Sequence, residues 1–118
     1  MKTWDNWKYA LKGLKELGQN HLNFKIHLIF GSLAILMGFV LGISQLEWLA
    51  LTLTIGLVLI AEGLNTAIEC VVDLVSPDYH KLAGKAKDIG AASVLLAGCV
   101  AMINGLLIFG RALLPYFE

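Results

Sequence analysis

Apolar residues fall into long unbroken runs, and the charges are confined to the stretches between them. Leu28 to Leu46 is 19 residues without a charge, and Ile89 to Gly110 is 22. Between them, Trp48 to Val72 is 25 residues interrupted only by Glu62 and Glu69. A helix that crosses a bilayer needs roughly 20 apolar residues. The pattern predicts three spanning helices, over 28–46, 48–75 and 89–112. Residues 3–18 read differently. Trp4, Trp7, Leu11 and Leu14 recur at helical spacing on one face, while Asp5, Lys8, Lys12, Lys15 and Glu16 fill the other. This is the pattern of an amphipathic helix lying in the membrane interface, with tryptophans at headgroup level and lysines facing anionic lipid. The expected fold is all-α. It is one membrane-embedded domain over 1–118, with three transmembrane helices and an N-terminal surface helix.

Composition agrees with the pattern. The chain has 118 residues, 58% hydrophobic and only 15% charged, and its mean hydropathy is +0.73. Nine basic and nine acidic residues cancel, which excludes a basic nucleic-acid binder and an acidic disordered tail. The pattern predicts no secretory signal, because the first apolar run starts only at Leu28 and lysines are scattered before it. Cys70 and Cys99 both sit in apolar stretches and read as small packing residues. Gly38 and Gly42 form a small-xxx-small pair of the kind that lets helices approach closely.

Charge sets the expected orientation. Lys2, Lys8, Lys12, Lys15 and Lys25 precede the first apolar run, and Lys81, Lys85 and Lys87 lie between the second and third. The other end carries only Arg111. The excess of lysine predicts a cytoplasmic N-terminus and 76–88 loop, with the C-terminus outside.

The second apolar run carries the chemistry. At about 100° per residue, Glu62, Asn65, Glu69 and Asp73 share an arc of about 80° over three turns, with Thr66 at its edge. A carboxylate inside a spanning helix costs roughly 2.5–3.5 kcal/mol on insertion scales. The stripe therefore faces water, a cation or partner helices rather than lipid. One Asn or Thr would serve as polar glue between helices, but several acids on one face repel each other and need a counter-charge. Lys81, Lys85 and Lys87 lie nearby in sequence. The stripe starts at the cytoplasmic surface and descends into the bilayer, a shape in which a water-soluble anion meets a lipid-soluble partner. Surface carboxylates there suit Mg²⁺, which takes carboxylate oxygens and ligand phosphates. A deeper acid suits a general base, and lysine neutralises phosphate charge.

No Walker A loop is present, since Gly84-Lys85 is followed by Ala86 and lacks the preceding glycine. A nucleotide site here is of another kind. Two other classes fit the stripe: a small ion or proton channel lined by it, and a structural subunit that assembles through it. Asn104 in the third apolar run suits helix–helix hydrogen bonding, and Arg111 has no role assigned by the sequence.

The run Glu62-Gly-Leu-Asn65-Thr66-Ala-Ile-Glu69-Cys-Val-Val-Asp73, then His80, then Lys87-Asp88-Ile-Gly-Ala91-Ala92, closely resembles the small prokaryotic diacylglycerol kinase family, which includes undecaprenol kinases. The resemblance covers about Tyr9 to Leu96. Its most specific part is the pairing of the two blocks, 14 residues apart from Asp73 to Lys87. The resemblance implies a homotrimer in a bacterial cell membrane, with sites shared between neighbouring subunits. It implies Mg-ATP-dependent phosphorylation of a lipid alcohol. By position, Glu62 matches the catalytic base and Asn65 a motif residue beside the reacting groups. Glu69 matches a metal ligand. Tyr9, Asp78, Tyr79, His80, Lys87 and Asp88 match nucleotide-contacting positions, with Glu69 and Asp73 beside the nucleotide. Lys12 and Ala91 join Glu62 at the lipid substrate.

One departure stands out. The family's second metal-binding Glu aligns with His21. Imidazole binds metals, but Mg²⁺ prefers oxygen, so His21 stands as a metal ligand, a nucleotide contact or a bystander to a water-completed shell. The flank Asn23-Phe24-Lys25-Ile26-His27 and the pair Glu47-Trp48 resemble the undecaprenol kinase branch, whereas the diacylglycerol branch tends to carry an acid where His27 stands.

Overall fold

The computed structural model describes residues 3–118, with side chains from Asp5 onward. Lys2 and the Trp4 side chain, both used above, lie outside the described residues. Four helices follow in order, with no strand among the described residues: α1 (Thr3–Asn20), α2 (Leu22–Leu41), α3 (Gln45–Val75) and α4 (Lys81–Leu113), closed by a short 3₁₀ turn over Leu114–Tyr116. Three of them, Leu22–Leu41, Gln45–Val75 and Lys81–Tyr116, are long and apolar enough to cross a membrane. The expected all-α membrane architecture is what the structure has.

The helix ends differ from the charge-free runs for local reasons. His21 alone, in extended conformation at φ −122°, separates α1 from α2. That single residue turns the amphipathic helix into the apolar one, and α2 therefore begins six residues before the run at Leu28. Lys25 lies inside its first turn, where a long side chain reaches back to the interface. The run to Leu46 is broken near its far end. Gly42 adopts φ 64°, and its N–H bonds to Gly38 O, a left-handed helix stop that glycine takes without strain. Ser44 then starts α3 with a reciprocal capping box: its Oγ accepts from Glu47 N–H at 3.2 Å, and its own N–H donates to Glu47 Oε1 at 3.0 Å. Gly42 is thus a cap. Gly38 admits the Trp48 indole, because a Cβ there would come within 2.6 Å of it. The pair works by a turn and an aromatic contact instead of a helix–helix groove.

Packing is tightest between α3 and α4. Ile43, Leu51, Ile108 and Ala112 form the buried cluster at the end of the molecule near the α2–α3 turn, with Trp48 and Phe109 against it. Arg111 closes that end with a bidentate pair to Glu47, at 2.8 and 2.6 Å. Further along, Asn104 Nδ2 donates to Thr54 Oγ1 at 2.7 Å, and Thr54 in turn donates to Ala50 O. Asn104 thus has the helix–helix role expected of it. Large apolar side chains such as Phe39, Val40, Leu53 and Leu106 remain exposed on the outside. Such a surface belongs in hydrocarbon.

At about 1.5 Å per residue, the 31 residues of α3 run about 46 Å, longer than a hydrocarbon core of about 30 Å. Its final turns, with Glu69 and Asp73, extend past the apolar span.

Candidate active site

The stripe keeps its single face but not a single environment. Glu62 and Asn65 are buried, at 4% and 8% exposure, and Thr66 with them. Glu69 and Asp73 are exposed. Thr66 donates its hydroxyl to Glu62 O one turn back, so its polarity is absorbed by the helix.

Glu62 faces α2. Its Oε2 lies 3.6 Å from His27 Nε2, and its side chain is only 6% exposed. Residues equally far from the turn of an antiparallel helix pair meet at the same depth. His27 stands 16 residues before Ile43 and Glu62 19 after it, about 24 and 28 Å along their helices. Both thus sit near one limit of an apolar core about 30 Å thick. α1 folds back beside this point: a methyl added at Gly63 would meet Leu17 Cδ1 at 3.5 Å.

Asn65 faces α4. Its Nδ2 donates to Glu69 Oε1 at 3.1 Å. Its Oδ1 is buried without a partner among the described residues. That oxygen fills the space where a Cβ would stand on Gly90, so only glycine fits there. Asn65 and Gly90 share an apolar groove between α3 and α4, with Leu64, Ile68, Ser93 and Ala97. A buried acceptor with no donor is costly, and this one is packed against the Gly90 backbone.

The outer part of the site spans α3 and α4. Lys87 Nζ donates to Asp73 Oδ1 at 2.5 Å across 14 residues of sequence, tying the end of α3 to the start of α4. His80 caps α4, its Nδ1 accepting from Leu82 N–H at 3.1 Å. Asp78 and Tyr79 occupy the exposed loop, where Ser76 Oγ donates to Asp78 O. Asp88 and Ala91 are exposed on the next turn of α4.

Other expected site residues stand apart from this group. Tyr9 and Lys12 remain on α1, with the ammonium 5.7 Å from the ring centre. His21 Nε2 lies 3.6 Å from Glu16 Oε1, and Asn20 Nδ2 donates to Glu16 Oε2 at 2.8 Å. No hydrogen bond or ion pair joins Tyr9, Lys12 or His21 to Glu69, Asp73 or Lys87 among the described residues. No group of three His, Cys, Asp or Glu side chains that could hold a metal gathers among them.

Sequence reasoning missed two residues. His27 entered only as part of a flank, although its distance from the α2–α3 turn matches that of Glu62. Gly90 left no signal, since its role depends on how Asn65 is rotated.

A profile of the family described as prokaryotic diacylglycerol kinase matches residues 8–109. The undecaprenol kinase of Bacillus subtilis is 38% identical over 101 residues, covering 86% of this chain and 82% of the relative. The diacylglycerol kinase of Haemophilus influenzae is 38% identical over 104 residues, covering 86% and 88%. That of Escherichia coli K12 is 38% identical over 96 residues, covering 81% and 79%. The matched span takes in α2, α3 and nearly all of α4, with every residue of the acidic stripe, and the chain belongs to the prokaryotic diacylglycerol kinase family.

Proposed function

We propose that this protein is a Mg²⁺- and ATP-dependent lipid kinase that phosphorylates the hydroxyl of a membrane lipid alcohol, with undecaprenol as the favoured substrate. One observation carries the reading. A buried carboxylate, Glu62, stands at the apolar limit of α3, and the stripe leading from it ends outside at the Asp73–Lys87 pair. A lipid hydroxyl and a water-soluble phosphate donor can meet only at such a boundary. A channel would not call for the Lys87 crosslink at one mouth.

ATP binds at the cytoplasmic ends of α3 and α4, where Lys87 offers positive charge to its phosphates. Tyr9, Asp73, Asp78, Tyr79, His80 and Asp88 complete the nucleotide site. The lipid enters sideways from the bilayer, with Lys12 and Ala91 flanking its headgroup. Glu62 takes the proton from its hydroxyl as the oxygen forms a bond to the γ-phosphorus, and the bond from that phosphorus to the β-bridging oxygen breaks to release ADP. Asn65, whose Nδ2 donates to Glu69, stands beside the reacting groups and orients that acid. Phosphoryl transfer asks mainly for positioning and charge neutralisation, which a small helical scaffold supplies. Glu69, an exposed oxygen acid oriented by Asn65, has the donor chemistry that Mg²⁺ takes through one or two carboxylates plus phosphate and water. The ion, when bound, supplies charge neutralisation at the phosphates. His21 is engaged with Glu16 and fits a second-ligand role less well.

We assign the basic ends to the cytoplasm, the C-terminus to the outside of a bacterial cell membrane, and the working form to a homotrimer in which α1 of one copy completes the site of another. That assembly accounts for Tyr9 and Lys12 lying apart from Lys87 within one chain. What supports undecaprenol is the Asn23–His27 flank, which sets an imidazole against Glu62.

The test is γ-phosphate transfer from labelled ATP in mixed micelles, with undecaprenol and diacylglycerol in parallel. Faster labelling of undecaprenol is expected. Faster labelling of diacylglycerol reassigns the substrate, and labelling of neither contradicts the kinase reading. Glu69→Gln is expected to raise the Mg²⁺ concentration needed for half-maximal rate. An unchanged requirement removes Glu69 from the metal site.

A further inference from the structure

The buried Glu62 carboxylate makes no hydrogen bond among the described residues, and its nearest oppositely polar partner is His27. A carboxylate in an apolar setting is costly unless a partner faces it. Two helices meet here, and the imidazole reaches across the gap between them. His27 is itself only partly covered, at 29% side-chain exposure. It also stands at the head of an apolar groove between α2, α3 and α4 that includes Phe30, Gly31, Thr54 and Phe109. Whether neutral with Nε2–H or charged, the Nε2 edge presents positive charge to Oε2.

Resting on the lipid kinase reading, we propose that His27 is the positioning residue of Glu62. It holds the carboxylate in one orientation, its Nε2 edge turned to Oε2, so that the base is in place when the lipid hydroxyl arrives. His27 contacts neither the phosphates nor the leaving group. Its effect passes entirely through Glu62.

This role separates from a packing role by kinetics. In the full-length protein, His27→Ala is expected to lower kcat for lipid phosphorylation about 10–100-fold, with the KM for ATP and for lipid within about twofold of wild type. His27→Gln keeps an N–H donor and is expected to recover most of the rate. In a Glu62→Gln background, His27→Ala is expected to cause no further loss, because its target is already gone. Thermal unfolding in the same micelles shows whether each variant is folded. If His27→Ala is not, His27→Gln and His27→Asn are compared in its place, and both retaining more rate than a folded His27→Leu supports the proposal.

A kcat within twofold of wild type in His27→Ala overturns the proposal. So does a raised lipid KM at unchanged kcat, which would place His27 in lipid binding. An equal further loss in the Glu62→Gln background overturns it too. Each of these outcomes leaves an active wild-type kinase. A wild-type protein that labels neither lipid overturns the kinase reading itself.

Discussion

Glu47 and Glu62 stand on the same helix and differ in how completely they are satisfied. Glu47 completes a capping box with Ser44 and takes both arms of Arg111. Its neighbours Ile43 and Leu51, with Ile108 and Ala112, form the buried cluster. Four turns further on, Glu62 has one imidazole at 3.6 Å, and Asn65 keeps an acceptor with no donor among the described residues. Polar groups at the first end are used up in holding helices together. Those at the second end are buried without a full set of partners among the described residues. An acid in a membrane helix is costly in either case, and what separates staple from site is the partner it lacks.

Substitutions can break that contrast. The largest effect is expected from Glu62→Gln, a loss of about 10²–10⁴-fold in kcat with thermal unfolding unchanged. A kinetic assay beside a melting curve checks both halves, and retained turnover removes Glu62 as the base. Next comes Gly90→Ala, one methyl placed where Asn65 Oδ1 stands. It is expected to displace Asn65 and lower kcat about tenfold or more. Equal activity would show that Asn65 has room to move.

At the closed end the signs reverse. Glu47→Gln and Arg111→Ala should each lower the melting temperature in detergent while kcat of the surviving folded protein stays near wild type. A selective fall in kcat would break the division between the two ends. The smallest effect is expected from Asn104→Leu. It removes the Thr54 hydrogen bond at mid-span and should cost about 0.6 kcal/mol, the average for such bonds in membranes. Chemical denaturation in mixed micelles measures it.

The spanning helices and the stripe were legible in the sequence for the same reason. In a nearly charge-free run, every carboxylate stands out, and its spacing fixes its face. The helix ends were less legible. Absence of charge does not mark a helix boundary, whereas Gly42, Ser44 and Glu47 do, through a left-handed stop and a capping box. The partners of the stripe were not legible beyond that, because they depend on helix rotation. His27 meets Glu62, and Gly90 makes room for Asn65, only once α2 and α4 are set against α3. Lys87 was visible as a counter-charge, but its particular pairing with Asp73 was not.

The central claim is that the open end of α3 is where a lipid hydroxyl receives phosphate. It is tested most directly by following labelled γ-phosphate from ATP into undecaprenol with wild type, Glu62→Gln and Glu47→Gln proteins side by side. Labelled lipid from wild type and from folded Glu47→Gln, with a rate at least about 100-fold lower from folded Glu62→Gln, is the predicted result. Labelling by Glu62→Gln at the wild-type rate, or its loss in folded Glu47→Gln instead, would contradict the account.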